Sequence, residues 1–77
     1  MTFTEYAASK GIEVLKEDIT HLNNHLIFYR NNKRAAIMKR YVEIWVTVAD
    51  NCESRVKAQN EGRRAANLWV LGGCDAN

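Results

Sequence analysis

The strongest pattern in this chain is residues 33–49, KRAAIMKRYVEIWVTVA. Apolar residues recur there at the three-and-four spacing of one α-helix face, and the chain contains no proline that would interrupt a long helix. The spacing predicts a helix from about Lys33 to Ala49. Its predicted core stripe comprises Ile37, Tyr41, Ile44, Trp45 and Val48.

This predicted helix is apolar around most of its circumference. Four further positions widen the stripe: Ala35, Met38, Val42 and Val46. A helix of this kind needs burial on more than one side. A chain of 77 residues can hardly supply that cover, because small domains bury a modest share of their surface. The sequence therefore predicts a homodimer that closes over this helix.

A second helix is predicted after a short break. Asp50 and Glu53 have the spacing of an N-terminal cap followed three positions later by an acid, so the chain should turn and restart there. The second helix should extend to Leu71 and stop at Gly72 and Gly73. A single uninterrupted helix is the alternative.

Three small residues recur at every fourth position of this second helix: Ala58, Gly62 and Ala66. Small side chains on one face let a neighbouring backbone approach closely. Glycine costs roughly 1 kcal/mol of helix propensity relative to alanine, so its presence suggests a compensating close contact. We predict that Gly62 lies at a close helix contact, where alanine is tolerated and leucine is not.

The N-terminal third has weaker signals. Thr2 and Glu5 have the spacing of a capping box, which predicts a short helix over residues 3–10 that stops at Gly11. The segments 12–14 and 25–30 favour short strands, because the first alternates in polarity and the second is β-branched and aromatic.

Together these elements predict a mainly α fold. Its centre is a helical hairpin of two longer helices, with a short N-terminal helix and room for a small two-stranded β segment. Residues 1–73 would form a single small interaction domain, and residues 74–77 a frayed C-terminal tail.

Composition excludes several classes of protein. Hydrophobic residues make up 47% of the chain and charged residues 26%, a balance that predicts folding. A net charge of +2 is too small to indicate nucleic-acid binding by itself. No apolar run approaches the roughly 20 residues needed to span a bilayer, so no membrane association is expected. Two cysteines and no signal-peptide pattern predict a cytoplasmic location.

Few side chains indicate chemistry. His21 and His25 are four residues apart, which on a helix would present two metal ligands on one face. The neighbouring threonine and asparagines favour a loop, so the sequence predicts surface or turn histidines and no metal site. Cys52 lacks a basic partner, and no glycine pattern matches a nucleotide-binding loop. We therefore expect no catalytic residue, no cofactor and no enzymatic activity.

Basic residues concentrate in residues 30–40, a segment without acids: Arg30, Lys33, Arg34, Lys39 and Arg40. Cations in the first turn of a helix oppose the helix dipole, so sequences usually avoid them. An acidic partner or a nucleic-acid backbone would explain the arrangement. A solvated face balanced by Glu43 and the acidic N-terminal third is the plainer alternative.

An arginine pair also precedes the second tryptophan. Arg63 and Arg64 are followed by Trp69, and arginine and tryptophan are over-represented among interface hot spots. A core position for Trp69 is the plainer alternative. With the aromatic residues of the first long helix, the predicted partner-binding set is Arg34, Arg40, Tyr41, Trp45, Arg63, Arg64 and Trp69.

Three segments, residues 25–29, 33–45 and 60–69, resemble small proteins of temperate phages and prophages. Within that group the chain is similar to compact antirepressors, helical proteins that bind a phage repressor and remove it from its operator. The resemblance implies a protein of the host-cell cytoplasm that binds and inhibits a protein target. The predicted partner-binding set would do so by stoichiometric occlusion, and the net charge of +2 predicts weak or indirect contact to nucleic acid. An anti-CRISPR-like inhibitor of host defence and a small DNA-binding transcriptional regulator are the alternatives.

Overall fold

The computed structural model describes residues 3–27 and 29–72, and these contain four helices. The helices are α1 (Phe3–Ser9), α2 (Lys16–Leu26), α3 (Asn31–Asp50) and α4 (Arg55–Leu71). The mainly α fold is confirmed, and α3 and α4 form the helical hairpin. Thr2 and the predicted tail, residues 74–77, lie outside the described residues. Within the described ranges, no helix is both long and apolar enough to cross a bilayer.

The helix α1 is followed by the glycine that the sequence predicts as its stop. Gly11 has a φ of 79°, a left-handed conformation that glycine adopts without a Cβ penalty. The Gly11 N–H donates to the Ala8 carbonyl at 3.0 Å, and the Ile12 N–H donates to the Ala7 carbonyl at 3.3 Å. These two bonds form a Schellman motif, whose apolar members Ala7 and Ile12 are buried in the core.

The predicted β ribbon is wrong for the described part of the chain. The segment between α1 and α2 forms no strand, and α2 occupies the start of the second predicted strand as far as Leu26. Asp18 favours the helix, because its carboxylate accepts the Leu15 N–H at 3.0 Å and caps the first turn. Asp18, Leu22 and Leu26 then recur every fourth residue on one buried face. Because the first residue of this buried face is an aspartate, the helical period of α2 is not evident from the sequence.

The break between α3 and α4 is confirmed, and the single uninterrupted helix is excluded. The caps differ from the prediction, because Asp50 is the last residue of α3 and Ser54 precedes α4. Asn51 ends α3: its backbone N–H and its side-chain amide both donate to the Thr47 carbonyl, at 3.2 and 2.9 Å.

One hydrophobic core collects residues from all four helices. Tyr41 and Trp45 of α3 have 0% exposure. The ring of Phe3 in α1 meets Tyr41 edge-on, with centroids 6.1 Å apart, and α4 packs along α3. One chain therefore covers the inner side of α3, but it leaves Ala35 exposed and Ile44, Val46 and Val48 partly exposed. Self-association through α3 stays a prediction.

Candidate functional site

The residues predicted to bind a partner divide into an interior and a surface group. Tyr41 and Trp45 are completely buried, so neither ring belongs to the surface. Arg63 is mostly buried, with 19% of its side chain exposed. Arg40 and Arg64 are exposed and Arg34 is partly buried, so these three remain available to a partner. Trp69 is partly buried and packs against the core, as the plainer alternative predicts.

Gly62 lies at a close crossing of α4 with α3. A Cβ at Gly62 would lie 2.5 Å from Cδ1 and 2.9 Å from Nε1 of Trp45, and 2.7 Å from the Trp45 carbonyl oxygen. The close helix contact predicted for Gly62 is confirmed. One of these atoms belongs to the backbone and cannot rotate away, so even alanine requires a helix to move. The predicted tolerance of alanine is contradicted by these distances.

A buried carboxylate joins α2 to α4. Asp18 is 5% exposed, and its Oδ2 accepts from Nε of Arg63 at 2.8 Å and from the Leu15 N–H at 3.0 Å. Its Oδ1 accepts from the side-chain amide of Asn67 at 3.3 Å. A buried charge is tolerated where it is both paired and hydrogen-bonded, and Asp18 meets both conditions.

The guanidinium of Arg63 has further contacts on three sides. Nη2 donates to the Glu13 carbonyl at 2.9 Å, and Nη1 donates to the side-chain oxygen of Asn60 at 2.8 Å. The group also lies over the indole of Trp45, with its central carbon 4.9 Å from the ring centroid, as in a cation–π contact. Arg63 therefore holds α4, α3 and the segment before α2 together, and each of its three guanidinium nitrogens donates a hydrogen bond within the chain.

The hydroxyl of Tyr41 joins this network. It donates to Oδ1 of Asn67 at 2.7 Å, which satisfies the polar end of a fully buried ring. Burial raises the pKa of Tyr41 above its ordinary value, the nearby Asp18 carboxylate raises it further, and Arg63 opposes both. Tyr41 is therefore a neutral hydrogen-bond donor of the core.

Gln59 supplies a second polar bridge, between α4 and the segment that follows α1. Its Oε1 accepts from the indole N–H of Trp45 at 3.1 Å and from the Glu13 N–H at 3.0 Å. Its Nε2 donates to the Gly11 carbonyl at 3.2 Å. The segment between α1 and α2 is thereby attached to α4 through backbone groups.

A cleft of about 460 Å³ opens beside the connection between α3 and α4. Lys10 and Arg55 line it with positive charge, and Asp50 offsets part of that charge. Cys52 also lines the cleft, and its thiol donates to the Ser54 carbonyl at 3.4 Å. The cleft therefore combines charges of both signs with a thiol that is hydrogen-bonded to the backbone.

Exposed apolar side chains lie at the end of α4. Leu68 and Leu71 are 57% and 59% exposed, and the exposed Arg64 lies one turn before Leu68. Residues 64, 68 and 71 have the i, i+4, i+7 spacing with which a helix presents anchors to the groove of a partner. We call these three residues the outer α4 face.

Comparison with protein-family models, curated proteins and solved structures finds no match to this chain. Its function must therefore be argued from its own surface. The second candidate surface is the basic half of α3, which we define as residues 30–40. Lys33, Lys39 and Arg40 are exposed there, and the first turn of α3 contains no acid. Arg40 and Glu43 approach to 3.5 Å on the surface, where water weakens such a pair.

Sequence reasoning missed the amide and carboxylate residues that hold the network together. Residues 59, 63 and 67 recur every fourth position of α4, beside the small residues that face α3. That regularity predicts a polar ridge against another segment. It does not identify Asp18 as the acid that pairs with Arg63, because these two residues are 45 positions apart in the sequence.

Proposed function

We propose that this protein inhibits a partner protein by stoichiometric binding, in the manner of an antirepressor, and that it performs no catalysis. The observation that carries the proposal is the outer α4 face. Burying a leucine that is about half exposed contributes roughly 1 kcal/mol, and Arg64 beside the two leucines adds a charged donor that can fix the orientation of the partner.

The outer α4 face is presented by a firmly held helix. Gly62 seats α4 against Trp45, and Arg63 attaches the same stretch of α4 to Asp18 of α2. A helix held in its binding conformation loses little freedom when a partner docks, so more of the contact energy remains as affinity. This rigidity supports occlusion by a preformed surface.

The test uses the phage repressor encoded nearest to the gene of this protein. The repressor is bound to fluorescently labelled operator DNA, and the chain is titrated into the complex while anisotropy is measured. We expect release of the operator at about one equivalent of the chain, as stoichiometric occlusion requires. An operator complex that survives a large excess would contradict the antirepressor proposal.

The position of the surface is tested by variants of α4. Replacing Leu68 and Leu71 together by serine should weaken binding about 10- to 100-fold, because both anchors are lost. Val56→Ser is the matched control: Val56 is also on α4 and is 88% exposed, but it lies at the opposite end of the helix. Equal losses in the double variant and the control would remove the outer α4 face as the binding surface.

The basic half of α3 supports a second candidate, a small DNA-binding regulator. Its exposed lysines can contact phosphates, and such contacts make affinity fall steeply with salt. We expect weak binding without sequence preference, since the net charge of the chain is +2. A sequence-specific, strongly salt-dependent complex that is lost on replacing Lys33 and Lys39 by glutamine would favour the regulator instead.

A further inference from the structure

The helix α2 brings the two histidines of the chain together, whereas the sequence favours a loop at this point. His21 and His25 are four residues apart within Lys16–Leu26. Their ring centroids lie 4.5 Å apart, with an angle of 58° between the ring planes. Both side chains are partly buried. An expected loop therefore no longer counts against this pair as metal ligands.

Hydrogen bonding selects one tautomer of His25. Its Nδ1 lies 2.9 Å from the carbonyl oxygen of His21. Because a carbonyl oxygen can only accept, Nδ1 must carry the proton, and the neutral ring keeps a lone pair on Nε2. Histidines that bind metals are oriented in this way, with one ring nitrogen on a backbone carbonyl and the other free for the ion.

The imidazole of His21 has a ring nitrogen without a hydrogen-bond partner among the described residues. This nitrogen, Nε2, is buried. A buried polar atom without a partner lowers stability, and a bound ion is one of the standard explanations for it. The same side chain borders a shallow, open depression that Lys16, Glu17, Thr20 and Asn24 also line. Because Nε2 itself is covered, the imidazole has to turn toward this depression to bind an ion.

We propose that His21 and His25 form a two-imidazole site for a divalent transition-metal ion of the Zn²⁺, Ni²⁺ and Cu²⁺ class. These ions bind neutral imidazole nitrogen at about 2.0–2.1 Å, and two histidines four apart on a helix are an established way to supply two such ligands. Among the described residues, His, Cys, Asp and Glu form no group of three that could hold a metal. Water would therefore have to complete the coordination.

Metal binding at this site is coupled to folding, since the two imidazoles converge only when α2 is helical. An ion that binds the folded chain more tightly than the unfolded chain raises the melting temperature, Tm. The test is thermal unfolding of the full chain with increasing Ni²⁺, followed by circular dichroism, with Mg²⁺ as the oxygen-preferring control ion. We expect Tm to rise by about 5–10 °C at saturating Ni²⁺ and to stay unchanged with Mg²⁺.

Variants on α2 assign the effect to the histidines. His25→Gln removes one ligand and should abolish the Ni²⁺-induced rise, whereas Asn23→Ala, at an exposed position of α2 outside the depression, should retain it. All these proteins keep Cys52 and Cys74, so binding by thiols would appear equally in each. A parent without a Ni²⁺-induced rise, or a rise that persists in His25→Gln, would overturn the proposal.

A spectroscopic measurement on the parent tests the proposal even if the His25→Gln variant does not fold. With one equivalent of Cu²⁺, pulsed electron paramagnetic resonance detects the remote nitrogens of coordinated imidazoles. Coupling to two equivalent imidazoles supports the site. Coupling to one imidazole or to none overturns it.

Discussion

Gly62 determines how closely α4 can approach α3. We predict that Gly62→Ala lowers the free energy of unfolding by about 1–3 kcal/mol, although alanine is the better helix former by roughly 1 kcal/mol. The reason is the Trp45 carbonyl oxygen, which would lie 2.7 Å from the new Cβ. Gly62→Leu should be worse than Gly62→Ala. Urea unfolding of both variants measures the loss.

The exposed neighbour Glu61 provides the control for Gly62. Glu61→Ala should change stability by less than about 0.5 kcal/mol, because it removes no buried contact. If Gly62→Ala were as stable as the parent or more stable, the close crossing would be refuted.

Tyr41 makes stability depend on pH in the alkaline range. Its pKa in the folded chain is raised above the ordinary 10.0, so the unfolded chain releases this proton first. The contribution of Tyr41 to the free energy of unfolding is fully present below pH 10.0. It declines as the pH rises above that value, by at most about 1.4 kcal/mol per pH unit.

The variant Tyr41→Phe should flatten this alkaline decline even though it also loses the hydrogen bond to Asn67. Tyr6→Phe, which alters a partly buried tyrosine of α1, is the comparison. Urea unfolding between pH 8 and pH 11 gives the two slopes. Equal slopes in the parent and in Tyr41→Phe would show that Tyr41 titrates alike in the folded and unfolded chain.

At the scale of elements, α2 depends on one ion pair. Asp18→Ala would leave the guanidinium of Arg63 without its charge partner in a largely buried position. We predict a loss of about 3–5 kcal/mol, a large part of the 5–15 kcal/mol by which small domains are usually stable. Thermal unfolding measures this loss, with Glu17→Ala, an exposed acid of the same turn, as the control.

A double variant separates charge burial from packing at this pair. Asp18→Leu combined with Arg63→Met removes both charges together, and it should recover much of the stability that Asp18→Ala loses. If Asp18→Ala cost no more than Glu17→Ala, the pair would not hold α2 in place.

The elements differ in how far their sequences predict them. In α3 a stripe of apolar residues recurs at the three-and-four spacing over several turns, so the helix is evident. In α2 a buried Asp18 stands where the pattern expects an apolar residue, and Asn23 and Asn24 resemble a turn. The helix forms because Asp18 is neutralised by Arg63, a partner that local reasoning cannot identify.

At the scale of the whole molecule, the core is closed within one chain. Since Tyr41 and Trp45 have 0% exposure in the single chain, folding does not require a second copy to cover them. The homodimer that the sequence predicts would form between folded chains, so we expect Tm to rise as the protein concentration is raised a hundredfold. A Tm that is independent of concentration would contradict the homodimer.

The sequence by itself determined the helical hairpin of α3 and α4, the break between them, the stop at Gly11 and the close contact at Gly62. These features follow from short-range periodicity and from the backbone properties of glycine, which neighbouring residues set. Only the tertiary structure decided which side chains are left at the surface. It placed Tyr41, Trp45 and Arg63 inside and left the outer α4 face exposed. A side chain on a helix is buried by segments that are distant in the sequence, as in the contact of Asp18 with Arg63. A local sequence pattern therefore cannot predict which side chains are buried.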